Sequence, residues 1–255
     1  MVAWKRKSEP VGRGLGWMMA PFFGLVSFVR RARTFHPRGP TFHAVVEVHE
    51  LAPLELRALA ERLSGHALVR FSGALWKHAE GIPDVLGCAI RLRRDARDTA
   101  EPSVDDQDLL FATIRRPWTM PLSPLSTDVS DYLANDYFAV SPFEMEGSRA
   151  RYLRLHPAQP SSSAIDGTRA ERLACEVARG DARLTLGVSD GPWGPWTPVV
   201  SITLERAAEV DGESLRFRPM RDGRGVHPRG FVHALRRGVY AMSQRARPRV
   251  SASSA

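Results

Sequence analysis

Residues 231–247 read FVHALRRGVYAMSQRAR, and in a helix the spacings of four and seven put Arg236, Tyr240 and Arg247 along one face. A tyrosine flanked by two cations is chemically useful. Neighbouring positive charge lowers the phenol pKa from its usual value of about 10 and favours the phenolate, the form that can ligate ferric iron. Taken alone, the segment reads first as a basic amphipathic helix with a half-buried tyrosine, and the iron-ligand reading rests on the rest of the chain. His43, His49, His227 and His233 share no spacing that would assemble a metal site. The chain carries no G-x-S-x-G elbow, Walker motif or H-E-x-x-H, so a hydrolase is the weaker alternative.

The elements that must position this chemistry are mostly strands. Runs with β-branched residues or two-residue alternation predict strands at 42–49, 67–72, 86–93, 108–114, 150–156, 169–178, 183–189 and 197–204. A helix is predicted at 53–64, with Leu54, Leu56, Leu59, Ala60 and Leu63 as its apolar stripe, a second short one near 128–135, and the last at 228–247. Eight strands with few helices predict an α+β fold, an eight-stranded antiparallel β-barrel with a C-terminal helix, because closure removes exposed edges. Such a barrel can hold one ligand in its interior or mouth.

Several stretches carry a family resemblance. Arg33-Thr34-Phe35-His36-Pro37-Arg38-Gly39, followed by Phe42-His43-Ala44-Val45-Val46-Glu47-Val48, resembles the segment of haem catalases that bears the distal histidine and enters the first barrel strand. Val69-Arg70-Phe71-Ser72 and Gly87-Cys88-Ala89-Ile90-Arg91 are similar to the next two strands of that family, and residues 135–143 to the stretch opening the second half of its barrel. Pro195-Trp196-Thr197 sits where the family has a proline-tryptophan pair, and Arg236, Tyr240 and Arg247 match its proximal motif. The pieces are collinear from Arg33 to Arg247, in a chain much shorter than a full catalase, so the chain resembles a minimal catalase-related haem peroxidase.

The resemblance implies a catalase-like barrel whose C-terminal helix bears the ligand to haem b (iron protoporphyrin IX). Tyr240 would be the axial ligand and Arg236 would hold it as phenolate. His36 would be the distal acid/base, with Ser72 orienting its ring, and Phe35 would pack on the porphyrin plane. Arg33, Arg70 and Arg247 would meet the propionates or nearby structural pairs. Where catalases place a distal asparagine this chain has none, and Asp106 or Gln107 falls nearest, with Thr113 also within reach. An aspartate there would repel a hydroperoxide anion, so the expectation is a peroxidase for hydrogen peroxide or organic hydroperoxides with weak catalase activity at most. Its partners would be that hydroperoxide and an unknown electron donor. The alternatives are a fatty-acid hydroperoxide isomerase or dehydratase, and a barrel that binds haem or lipid without turnover.

Composition bounds these expectations. The 255 residues are 43% hydrophobic and 25% charged, an ordinary globular balance that excludes a core-less chain. The net charge of +8 is spread along the chain without a nucleic-acid motif, so no nucleic-acid partner is expected. Two cysteines, Cys88 and Cys175, are too few for a disulfide framework; both are expected to be buried in strands, and a cytoplasmic setting is the default.

Residues 1–30 read as an N-terminal arm or helix, 31–247 as the haem-binding barrel and 248–255 as a disordered tail. Within the arm, 14–29 is apolar but short of a bilayer span and interrupted by Pro21, leaving a packed helix, a peripheral membrane contact or a targeting signal open. A homodimer is likewise left open.

Overall fold

The computed structural model describes residues 39–74, 81–145, 149–162, 164–210 and 214–229. Its strands are β1 (Thr41–Val48), β2 (Gly65–Gly73), β3 (Leu86–Arg93), β4 (Gln107–Ala112), β5 (Tyr137–Phe138), β6 (Phe143–Met145), β7 (Tyr152–Pro157), β8 (Arg183–Ser189), β9 (Thr197–Ala207) and β10 (Val226–Pro228). The α-helices are α1 (Leu54–Leu63), α2 (Ser123–Ser126) and α3 (Arg169–Arg179), with 3-10 turns at Pro117–Leu122 and Tyr132–Ala134.

Eight of the strands close into an antiparallel barrel in the order β1-β2-β3-β4-β5-β7-β8-β9. Closure is made by β9 pairing with β1, Phe42 opposite Ala207 and Val48 opposite Val200. Every neighbour in the barrel is antiparallel, so each strand's ladder groups are met on both sides and the edge problem of an open sheet does not arise. The two remaining strands, β6 and β10, form a separate ribbon with Phe143 opposite Pro228.

Alternation along the strands decides which side chains fill the barrel. Phe42, Ala44 and Val46 of β1, Ala67, Val69 and Phe71 of β2, and Leu86, Cys88, Ile90 and Leu92 of β3 are buried in one core with Leu109, Phe111, Tyr137, Leu153, Leu155 and the apolar residues of β8 and β9. Phe71 packs on Tyr132 and Tyr137, ring centres 5.0 and 5.9 Å apart. The barrel is thus filled by its own side chains. Helix α1 closes part of it: Leu56, Leu59, Ala60 and Leu63 recur at helical spacing and are buried in the same core.

Four local expectations are corrected. Residues 169–178, expected as a strand, are the helix α3. Thr168 caps it by accepting from Glu171 N while Glu171 accepts from Thr168 N at 2.8 Å, and Gly180 ends it in the left-handed region at φ 78°. The segment is rich in Ala, Glu, Leu and Arg, and those propensities prevail over the apparent apolar run. The eighth barrel strand is instead the two-residue β5. A helix over 128–135 is only a single turn at Tyr132–Ala134, and Pro228, expected to start the last helix, ends β10. Cys88 is buried in β3, where burial pushes its thiol pKa well up, but Cys175 is exposed on α3. Among the described residues no helix is long and apolar enough to cross a membrane.

Candidate functional site

The chain entering β1 is fixed against the end of β2. Phe71 N donates to Pro40 O at 3.1 Å, and a Cβ added at Gly39 would lie 1.8 Å from Phe71 O, so only glycine fits at this approach. The next residue, Ser72, faces away from the filled interior. The register sets Ser72 opposite Gly87 and Gly87 opposite Ala112, and one step along the strands Arg70 opposite Ala89 and Ala89 opposite Leu110. A Cβ at Gly87 would stand 3.0 Å from Ser72 Oγ, so the glycine leaves that hydroxyl uncrowded. Small residues therefore surround a half-buried serine on the outer wall of the barrel.

The other end of this wall is sealed. Arg91 and Asp108, both fully buried, pair through Nε to Oδ1 at 2.8 Å and Nη2 to Oδ2 at 3.2 Å, and Asp108 also accepts from Arg218 N at 2.7 Å. Arg70 belongs to this end. It donates to Leu215 O at 3.1 Å and lies over the Phe217 ring at 4.8 Å. Burial first, and the charge of Arg91 second, push its pKa down to about 10, against the pull of Asp108, so it stays charged at neutral pH. Arg70 is thus engaged in holding residues 214–217 to the barrel, a structural contact of the kind that stood beside the propionates as its expected role.

Asp106 stands away from Ser72 along the barrel. It lies just before β4, next to Gln107, which pairs with Leu92, whereas the Ser72 row meets β4 at Ala112. Six residues of strand separate the two levels, roughly 20 Å. Its carboxylate is 1% exposed, accepts from Arg97 Nη2 at 2.9 Å and Ser103 N at 3.0 Å, and lies 3.5 Å from Arg93 Nε. Asp106 therefore ties the loop after β3 to the barrel and does not share the level of Ser72.

The neighbouring candidates are also engaged. Gln107 donates to Arg221 O and Val226 O at 2.9 and 3.1 Å, and Thr113 Oγ1 accepts from Leu86 N and meets Thr127 Oγ1. Asn135, the chain's one asparagine, has its amide bonded to Asp128 O and Asp131 O.

Arg33, Phe35, His36, Arg236, Tyr240 and Arg247 lie outside the described residues. Among the described residues no group of three or more His, Cys, Asp or Glu could hold a metal ion. A feature that the spacing of single motifs does not reveal is a cluster of Arg115, Arg116, Trp118, Trp193 and Trp196, in which Arg116 sits 3.2 Å from the ring centre of Trp193. Its residues come from two loops more than seventy positions apart, and only the dipeptide Arg115-Arg116 near Trp118 hints at it. No protein-family model matches the chain, and no curated protein matches it.

Proposed function

We propose that the chain is a haem-binding barrel that reduces hydrogen peroxide or organic hydroperoxides, with Tyr240 as the iron ligand and His36 as the acid/base. The observation that carries this reading is the lock of Gly39 and Pro40 onto Phe71, immediately beside Ser72. Three residues of chain span at most about 11 Å, so His36 begins within that reach of Gly39. Among the described residues Ser72 Oγ forms no hydrogen bond, which leaves it available to an imidazole.

The barrel interior is occupied by side chains, so haem would lie against the outer wall at the end where Ser72 faces Gly87. Tyr240 would hold the group, Arg236 would keep the phenol ionised, and Arg33 and Arg247 remain for its carboxylates. Bound haem supplies an iron that exchanges electrons with the peroxide. His36 would take the proton from the hydroperoxide and return it to the leaving oxygen, with Ser72 fixing the tautomer and tilt of its ring. The balance is a hydroperoxide, two electrons from a donor and two protons giving an alcohol and water.

A second reading is favoured by the engagement of Asp106, Gln107 and Thr113 in structural bonds: a barrel that binds haem without turnover. The test is an absorption spectrum of protein expressed with ample haem, with and without Tyr240→Phe, followed by peroxide-dependent oxidation of a dye. One haem per chain, lost in the variant, with dye oxidation by the parent is the expected result. A variant with unchanged haem content and spectrum overturns Tyr240 as ligand, and a haem-loaded parent that oxidises no dye selects the second reading.

A further inference from the structure

The loop after β4 and the loop joining β8 to β9 meet beside β5. There the Arg116 guanidinium carbon lies 3.2 Å from the ring centre of Trp193 and 5.2 Å from that of Trp118. Arg116 is 3% exposed, whereas the two indoles that cover it are 64% and 61% exposed. This inverts the usual arrangement, in which tryptophan is inside and arginine outside.

Arg116 differs from the other buried arginines. Arg91 has Asp108, and although Arg93 leaves Nε and Arg224 leaves Nε and Nη2 without partners, Arg93 still donates to the carbonyls of Arg97, Thr99 and Glu101 and Arg224 to those of Arg62 and Ser64. Among the described residues Arg116 Nε and Nη2 are buried with no hydrogen-bond partner, and no carboxylate pairs with it. The acids nearby are taken: Asp190 meets Arg151 at 3.2 Å, and Asp136 meets Arg154 at 3.4 Å and His156 at 2.7 Å. More positive charge stands close by, since Arg115 lies 5.0 Å over Phe138 and 5.9 Å from the centre of Trp193, and Arg154 lies 5.1 Å over Trp196.

An indole face attracts a guanidinium but gives it no acceptor, so it offsets only part of the lost hydration. The missing element is an anion. A guanidinium presents Nε and one Nη as a fork that matches two oxygens of a carboxylate or phosphate. Because both atoms are covered, an anion enters only as one exposed indole swings aside, and that ring is then free to stack on whatever carries the anion. A flat ring is the shape that two solvent-exposed indoles accept.

We propose that Arg116, Trp118 and Trp193 form a binding site for a small ligand in which a phosphate or carboxylate is attached to a flat aromatic ring. The site uses none of the residues assigned to the Ser72 wall, and its binding test does not require haem.

Titration calorimetry of the full chain at low salt with phenyl phosphate, benzoate and inorganic phosphate tests it. Phenyl phosphate or benzoate is expected to bind one per chain, about tenfold more tightly than inorganic phosphate, since one stacked ring adds about that much. The two ring-bearing probes distinguish phosphate from carboxylate. Arg116→Met should weaken both about tenfold or more, and Trp118→Ala should lower them toward inorganic phosphate while leaving inorganic phosphate unchanged. No saturation by either ring-bearing probe at about 10 mM, where a millimolar site would be filled, overturns the proposal. So does parent-level affinity in a folded Arg116→Met. If that variant does not fold, parent-level affinity for both ring-bearing probes in Trp118→Ala overturns it instead.

Discussion

Arg91 and Asp108 form a two-point ion pair across β3 and β4 with both side chains wholly removed from solvent. Charges taken out of water at this depth hold only when matched, and here the carboxylate also bonds Arg221 and the backbone of Arg218. The pair therefore fastens residues 216–221 to the outer wall, and Arg91 adds bonds to Ala100 O and Arg216 O. Asp108→Asn leaves Arg91 buried, with Arg70 and Arg221 close by and no carboxylate between them. Its expected cost is about 3–5 kcal/mol of folding stability, read as a lower urea midpoint. A loss below about 1 kcal/mol, the range of a surface pair, would show that the pair does not carry this attachment.

Gly39→Ala tests the lock between the chain before β1 and the end of β2. The new methyl would meet Phe71 O at 1.8 Å, which is backbone and can yield only by moving β2 or β1. Destabilisation of about 1–3 kcal/mol is expected, as for an overpacked core position. On the peroxidase reading the same substitution shifts His36 relative to Ser72, so haem content should persist while dye oxidation falls. An unchanged melting temperature would contradict the close approach.

The barrel was legible in the sequence because each strand buries one face, and alternation such as Val69 and Phe71 against Arg70 and Ser72 reports that directly. Strand β5 was not legible as a strand, since two residues carry no period. Helix α3 was misread because its apolar positions were weighed without the Thr168–Glu171 capping box that starts it. At the candidate site, Ser72 could be located from its place at the end of β2, but the engagement of Arg70 and Asp106 could not. Their partners, Leu215, Phe217 and Arg97, come from loops whose approach to the barrel no local pattern encodes. The Arg116 cluster was invisible for the same reason.

His43 gives the fold a pH dependence with a defined sign. Burial first, and the charge of Arg206 second, lower its pKa below the usual 6.5, although Asp98 stands 2.7 Å from Nε2 and opposes the shift. Asp98 is exposed and shared with Arg206, so its pull is the weaker one. The folded state thus prefers neutral His43. Its contribution is fully present above about pH 6.5 and is lost as the pH falls below that value through the folded pKa, with a slope of at most about 1.4 kcal/mol per pH unit for one proton. Urea unfolding at about pH 7.5 and 5 should show a smaller acid-side loss in His43→Gln than in the parent. An equal loss in both proteins would remove His43 from the pH response.

Asp106→Asn separates structural from chemical roles at the barrel's two ends. The carboxylate bonds Arg97 and Ser103 at a level roughly 20 Å of strand from Ser72. Replacing it by an amide removes the charge that Arg97 and Arg93 face, so stability should fall by about 1–3 kcal/mol, the cost of leaving buried donors poorly matched. Oxygen release and dye oxidation from peroxide by the haem-loaded protein should both stay within about twofold of the parent, because no proton path from the Ser72 wall passes through this residue. Ser72→Ala should do the reverse: its hydroxyl bonds no described residue, so the melting temperature should hold, while dye oxidation falls several-fold with haem content unchanged. The paired assay needs both variants. A shift from dye oxidation toward oxygen release in Asp106→Asn would return that residue to the peroxide pocket, and an active Ser72→Ala would remove the outer wall of β2 from it.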